Sequence, residues 1–253
     1  DTFDIKDKFK GIDLQKITVV SGGEINKETG IVSGYSIGIP LIYNYDCGTS
    51  ANGQSETLMV SLNIQKLIEI NEINFPDDTF REYVKEFDRD HNEMFSVNEI
   101  ANITTLYADG KNGKGAIKSL QGIEYFTALE KLYCYETKLT DLDISNNLAL
   151  VHLECGDTNI SKLDVSNNRA LEHLSFANTK VDDINVDNNS ALKVLSCANT
   201  KIKSLNVNNN PNLESLYVRN TLIDKLDTSH NKWLKSLDCA QTVSYTHLRA
   251  HET

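Results

Sequence analysis

The amino-acid sequence predicts a β-rich solenoid, α/β by repeat class, with a helix–loop–helix cap at its N-terminal end and a partial β-sandwich ahead of the cap. Three observations carry that expectation. Leucines recur every 21 residues from Leu129 to Leu234, a short stretch of helical periodicity precedes them, and residues 1–64 read as strands. The expected organisation is 1–64 for the β-sandwich, 65–114 for linker and cap, 115–242 for the solenoid, and 243–253 for a tail that does not belong to the repeat.

The first segment contains "LQKITVV", "GIVSGYSIGI", "LIYNYD" and "ETLMVSLNI", rich in β-branched and aromatic residues and separated by Gly, Asn and Ser clusters. Four such strands are few for a complete sandwich, so they are expected to be the tail of an Ig-like domain. After Pro76 the period changes. Phe80, Tyr83, Val84 and Phe87 stand at i, i+3, i+4 and i+7, the stripe of a short amphipathic helix, with Asp77 or Asp78 as N-cap. A polar loop and a second short helical pattern, "VNEIANI", follow.

From Leu129 the register is strict. Leu129, Leu150, Leu171, Leu192, Leu213 and Leu234 are followed three positions later by Leu132, Leu153, Leu174, Leu195, Leu216 and Leu237. An apolar pair recurs later in each unit, for example Ile160 with Leu163 and Ile202 with Leu205. A period of this size marks a solenoid, whose coils bury their apolar side only against adjacent coils. The pattern "LxxLxCxxTxIxxLDVSNN" resembles a leucine-rich repeat of the short bacterial form, in the style of internalins, over about residues 115–242. Where that consensus usually has Asn, this chain has Thr137, Thr158, Thr179, Thr200 and Thr221, whose hydroxyls are expected to hydrogen-bond the next coil. The pairs Asn146–Asn147, Asn167–Asn168 and Asn188–Asn189 are expected to form the turn of each coil, because Asn tolerates the left-handed region. Asp143, Asp164, Asn185, Asn206 and Asp227 are expected to keep the opposite face soluble.

Four of the five cysteines, Cys134, Cys155, Cys197 and Cys239, share one phase of the repeat, and the remaining rungs hold Phe176 and Val218. A slot that takes Cys, Phe or Val selects for apolar filling, so these thiols are expected to be core packing. Cys47 stands alone, with no identifiable base or oxyanion site, and no C-x-x-C pair suggests zinc or redox chemistry. Thr242 is in phase, but the next apolar slots fall on Ser244, His247 and Arg249. "VSYTHLRAHET", residues 243–253, resembles the translation of a sequencing-library adaptor, which implies that the last coil is cut short.

One motif carries chemistry. "DRDHNEMFSVNE", residues 88–99, resembles a calcium loop of the EF-hand type, with Asp88, Asp90 and Asn92 in the first, third and fifth places. Met94 at the seventh place would give its carbonyl, Ser96 is the ninth and Glu99 the bidentate twelfth. The resemblance implies a Ca2+ ion. Glu93 departs from it at the sixth place, where Gly normally takes positive φ, at a cost of about 1–2 kcal/mol.

The 253 residues carry a formal net charge of −11, which disfavours nucleic acid and anionic membranes, and no apolar run is long enough to span a bilayer. No G-x-S-x-G, H-E-x-x-H or Walker motif is present. Strand alternation sets Lys131, Tyr133 and Tyr135, then His152 and Glu154, then His173, and later Tyr217 and Arg219 on the concave face. Tyr and Arg there suit binding of a protein or glycan. His152, His173 and Glu154 could take zinc, although exposed histidines in a stack are expected to be solvated. The resemblance implies a monomeric, non-enzymatic adhesion or recognition module of a secreted or cell-surface bacterial protein. Two alternatives stay open: an accessory region of a larger extracellular enzyme, or a spacer for a binding β-sandwich.

Overall fold

The computed structural model describes residues 3–5, 11–21, 23–33, 41–49, 52–62 and 67–242. The chain divides into two compact units between Leu67 and Ile68. In the first, the strands are β1 (Phe3–Asp4), β2 (Ile17–Ser21), β3 (Glu24–Ile25), β4 (Ile31–Ser33), β5 (Leu41–Thr49) and β6 (Ser55–Leu62). They form two antiparallel three-stranded sheets, ordered β1-β4-β3 and β2-β5-β6. Val32 of one sheet and Ile17, Leu41 and Tyr43 of the other, with Ile5 and Leu14 outside the strands, make one small buried cluster. Cys47 is exposed on β5. The expected strands at 30–39 and 56–64 are described only as far as Ser33 and Leu62, and the tail at 243–253 lies outside the described residues.

The second unit opens with β7 (Ile68–Glu69), which pairs with β8 (Met94–Phe95) across the cap. Between them, α1 (Asp78–Val84) starts at Asp77, whose Oδ1 accepts the N–H groups of Thr79 and Phe80. Its other carboxylate oxygen accepts from Lys118 and Ser119, so one side chain caps the helix and pins it to the segment leading into the repeats. α2 (Val97–Ala101) begins with a capping box between Ser96 and Glu99. The cap is poor in helix, seven residues and five. What closes it is a cluster of rings: Phe75, Phe80, Phe95 and Phe126 pack with centroids 5.6–6.0 Å apart. The same apolar cluster runs on without a break through every leucine rung.

The solenoid is a parallel sheet of seven short strands. β9 (Thr105–Tyr107) leads, ahead of residue 115, followed by β10 (Lys131–Tyr133), β11 (His152–Glu154), β12 (His173–Ser175), β13 (Val194–Ser196), β14 (Ser215–Tyr217) and β15 (Ser236–Asp238). Register is exact to the repeat, with Leu106, Leu132, Leu153, Leu174, Leu195, Leu216 and Leu237 aligned as Cα partners. The first six of these leucines are fully buried, as are Cys134, Cys155, Phe176, Cys197 and Val218 two positions on. The pleat therefore turns both positions inward. This is the leucine-rich repeat solenoid that the sequence predicts.

Two details of the coil differ from the sequence reading. The threonine hydroxyls do not reach the next coil. Thr137, Thr158, Thr179, Thr200 and Thr221 donate to the carbonyl three residues earlier in their own coil, at 2.6–2.9 Å. Nor do the paired asparagines occupy the left-handed region. That conformation falls on Glu136, Asp157, Asn178, Asn199, Asn220 and Gln241, with φ between 52° and 59°, just after each strand. The second asparagine of each pair turns inward instead. Asn147, Asn168, Asn189, Asn210 and Asn231 are fully or almost fully buried, and each Nδ2 donates to two carbonyls of the preceding coil. Each of these carbonyls already accepts a backbone N–H within its own turn, so the side chain adds a second bond, one that crosses from coil to coil. The row expected only to confer solubility also has a local role: Asp143, Asp164, Asn185, Asn206 and Asp227 each accept the N–H two residues on.

Removing a rung of this ladder tests it. Asn189→Ala removes two buried hydrogen bonds between coils, to carbonyls of Val165 and Asn168 that keep the N–H groups of Asn168 and Leu171, and each lost bond should cost about 0.5–1.5 kcal/mol. Its exposed neighbour Asn188 makes one bond to the Ser166 carbonyl, and Asn188→Ala should cost about 1 kcal/mol or less. Urea unfolding of both variants measures the difference; equal losses would return the asparagines to a turn role.

Candidate binding surface on the parallel sheet

Each strand of the solenoid sends its middle residue inward and its two flanking residues outward, so the outward face carries rows that the repeat does not constrain. Along one row stand Lys131, His152, His173, Val194, Ser215 and Ser236; along the next, Tyr133, Glu154, Ser175, Ser196, Tyr217 and Asp238. Four rings from these rows and from β9 join into one continuous stack. Tyr107 lies parallel to Tyr133 at 5.1 Å, Tyr133 is tilted against His152 at 4.8 Å, and His152 stacks on His173 at 4.1 Å. Strand spacing of about 4.8 Å is close to the preferred separation of aromatic rings, so in-register rings meet without strain.

Glu154 ties the histidine end of the stack. Its Oε1 lies 3.0 Å from Nε2 of His152 and 3.5 Å from Nε2 of His173. Burial and the adjoining His152 ring pull the His173 pKa below its ordinary value, against the opposing pull of Glu154. For Tyr133, burial and then the Glu154 charge push the phenol pKa up.

The structure brings Tyr133, His152, Glu154 and His173 together, and adds Tyr107, which the sequence reading missed because its strand precedes the first 21-residue unit. Tyr135 stands apart, beneath the Lys111 ammonium at 5.1 Å. Lys131 is exposed at the edge of the row. Tyr217 and Arg219 are exposed four strands from Tyr133, roughly 19 Å away at ordinary strand spacing. Hydrogen bonds from Ser236 and Ser215 hold the Tyr217 pKa down. Between the two groups the surface is low. Gly156, Ala177 and Ala198 fill the third row, and a Cβ on Gly156 would come within 2.8 Å of the Ala177 carbonyl oxygen. Lys193 with Glu172 and Lys235 with Glu214 pair across adjacent coils at 2.7 Å.

The acidic loop of the cap is a separate cluster. Asp88, Asp90 and Glu99 each place a carboxylate oxygen within 4.8 Å of the others, Asp88 and Glu99 being buried. Asp88 accepts the N–H groups of Asn92 and Glu93, and Asn92 Oδ1 that of Met94. Glu99 accepts from the Arg89 and Ser96 N–H groups and the Ser96 hydroxyl. Burial raises the Glu99 pKa, but these hydrogen bonds outweigh it and hold the group below its ordinary value. Glu93 takes φ 59°, the left-handed conformation that the sixth place of such a loop demands, despite not being Gly.

Three thiols of the ladder, Cys134, Cys155 and Cys197, are buried and unreactive. Burial pushes Cys155 and Cys197 up to about 12 and Cys134 well above its ordinary value. They stay protonated, out of reach of reagents. In the native protein a thiol reagent should label Cys47 promptly and leave Cys134, Cys155 and Cys197 untouched until denaturant is added, as peptide mass mapping would show. Prompt native labelling of any of the three would contradict their burial.

No family model and no curated protein matches the sequence. Solved structures do. The functional domain of InlJ from Listeria monocytogenes, described as including a cysteine ladder, is 26% identical over 70% of this chain and 48% of its own, with a TM-score of 0.47. This chain thus spans about half of that one. Internalin C2 from Listeria monocytogenes is 18% identical over 72% of this chain and 91% of its own, with a TM-score of 0.52. A leucine-rich repeat protein of Leptospira interrogans is 22% identical over 50% of this chain and 35% of its own, with a TM-score of 0.48. The likeness to internalin C2 is one of fold.

Proposed function

We infer that this chain, a leucine-rich repeat solenoid of the internalin type, is a non-catalytic recognition module of a secreted or cell-surface protein that holds a protein ligand on the outward face of its parallel sheet. The observation that carries this reading is the contrast between the two sides of the sheet. Inward positions stay apolar from coil to coil, whereas outward positions vary along the sheet and hold aromatic and charged groups at two separated places. Chemically rich side chains on a rigid frame lose little freedom on binding, which favours affinity.

The ring stack also favours a protein over a glycan. Both faces of Tyr133 and both faces of His152 are covered by neighbouring rings. A sugar stacks on a free aromatic face; these rings present edges, a hydroxyl and imidazole nitrogens. Such edges suit the polar groups and side chains of a protein surface. Tyr217 and Arg219, of types enriched at binding hot spots, supply the second anchor.

The test is a screen of the purified chain against immobilised extracellular proteins and, in parallel, a glycan array. Capture by a protein is expected. Tyr133→Ala with Tyr217→Ala and Arg219→Ala should weaken it at least about 100-fold, since two hot-spot losses of about 1.5–2 kcal/mol each combine. Capture unchanged in a correctly folded triple variant would move the ligand off this face, and capture by glycans alone would reverse the choice of ligand class.

We also propose that the loop from Asp88 to Glu99 takes a calcium ion. Asp88, Asp90, Asn92, Met94 through its carbonyl, and Glu99 would be its oxygen donors, and Ser96 stands at the position often bridged by water. What supports this is the gathering of three carboxylates together with the left-handed turn at Glu93. Millimolar calcium should raise the melting temperature by several degrees over the chelated protein, since a ligand of the native state alone stabilises it by mass action. Asp88→Ala and Glu99→Gln should each abolish that increment, measured against the variant's own calcium-free melting. No increment in the unaltered protein would remove the ion from the loop.

A further inference from the structure

We propose that His152, Glu154 and His173 form a binding site for a divalent transition-metal ion of the zinc class, at the end of the ring stack on the parallel sheet. The sheet register does the gathering. His152 and His173 are directly paired residues of β11 and β12, and Glu154 follows His152 by two positions, so all three side chains leave the same face of the pleat. Their ligating atoms lie within 4.8 Å of one another.

The separations fit an ion. Donor atoms around a tetrahedral zinc, with bonds of about 2.0–2.1 Å, stand about 3.4 Å apart. The two nitrogen-to-carboxylate distances, 3.0 Å and 3.5 Å, bracket that value. Donor chemistry selects the class of ion: imidazole nitrogens suit zinc, copper, nickel and iron, whereas calcium and magnesium prefer oxygen throughout. Two histidines with one carboxylate also leave a fourth position open to water on the solvent side.

Placement is supported from one side and open on the other. Tyr133 packs against His152 at 4.8 Å, while the two imidazoles remain 22% and 28% exposed and so accessible to an ion. The rings now lie 10° from parallel. Aiming both Nε2 lone pairs at one point requires a turn about χ2, a soft torsion for histidine. Coordination then replaces the contacts that each imidazole makes with Glu154. This site is independent of the cap loop, whose donors are all oxygen, and its test needs no protein ligand.

Zinc chloride titrated calorimetrically into the chelator-stripped full chain, with millimolar calcium present to occupy the loop and Cys47→Ser to remove the exposed thiol, should show one ion per chain. His152→Gln, His173→Gln and Glu154→Gln should each weaken binding at least about tenfold, a loss that even outer-shell changes produce at metal sites. Cobalt substitution should give the visible absorption of a low-coordinate nitrogen and oxygen site. Because substitution in the stack could disturb the sheet, long-range proton–nitrogen spectra of the unaltered protein supply a second measurement. Zinc should shift the Nε2 resonances of two of the six histidines, assigned as His152 and His173. No zinc binding, binding unaffected by all three substitutions, or shifts confined to other histidines would each overturn the proposal.

Discussion

Besides the hydrogen-bonded ladder of the parallel sheet, one buried asparagine per turn ties each coil of this chain to the coil behind it. Each inward Asn side chain gives both amide hydrogens to carbonyls of the coil behind it. The first rung, Asn147, reaches back to Ile123 and Phe126, so the same device joins the repeats to the cap. The leucines supply most of the favourable free energy by leaving water, but they are non-directional. Directed bonds, from these asparagines and from the backbone ladder of the parallel sheet, hold the coils in one register, and the alignment of the leucines and of the ring stack goes with it.

The interior therefore tolerates variation only in kind. The slot two residues after the strand leucine accepts Cys, Cys, Phe, Cys and Val in successive coils, all fully buried. Packing against a neighbouring coil asks for an apolar side chain of workable volume and no more. The outward rows carry no such demand. They hold histidines and tyrosines at one end, Tyr217 and Arg219 at the other, and small residues between, and this is where the chain has room to be specific.

The cap shows a different balance. Its helices are too short to stand alone, and its stability comes from four phenylalanines and from side chains that serve two elements at once. Asp77 caps α1 and binds the segment at Lys118; Glu99 caps α2 and closes the acidic loop. The acids of that loop are held by backbone donors, Asp88 by the N–H groups of Asn92 and Glu93 and Glu99 by those of Arg89 and Ser96, around the left-handed turn at Glu93.

The leucine period by itself determined the solenoid, its parallel sheet and the inward place of Cys134, Cys155 and Cys197, because periodicity and pleat fix which face a residue takes. It also placed Tyr133, His152, Glu154 and His173 on one surface. What the period could not decide was hydrogen-bond partnership. Thr and Asn can each serve a turn, their own coil or the next, and only the packed coils show that Thr turns back on its own carbonyl while Asn crosses. Nor could it join Tyr107 to the stack, since that tyrosine reaches Tyr133 across a 26-residue first coil, set by the cap rather than by the repeat. Local pattern dictates the side a residue faces; distances between side chains of different coils exist only once the coils are stacked.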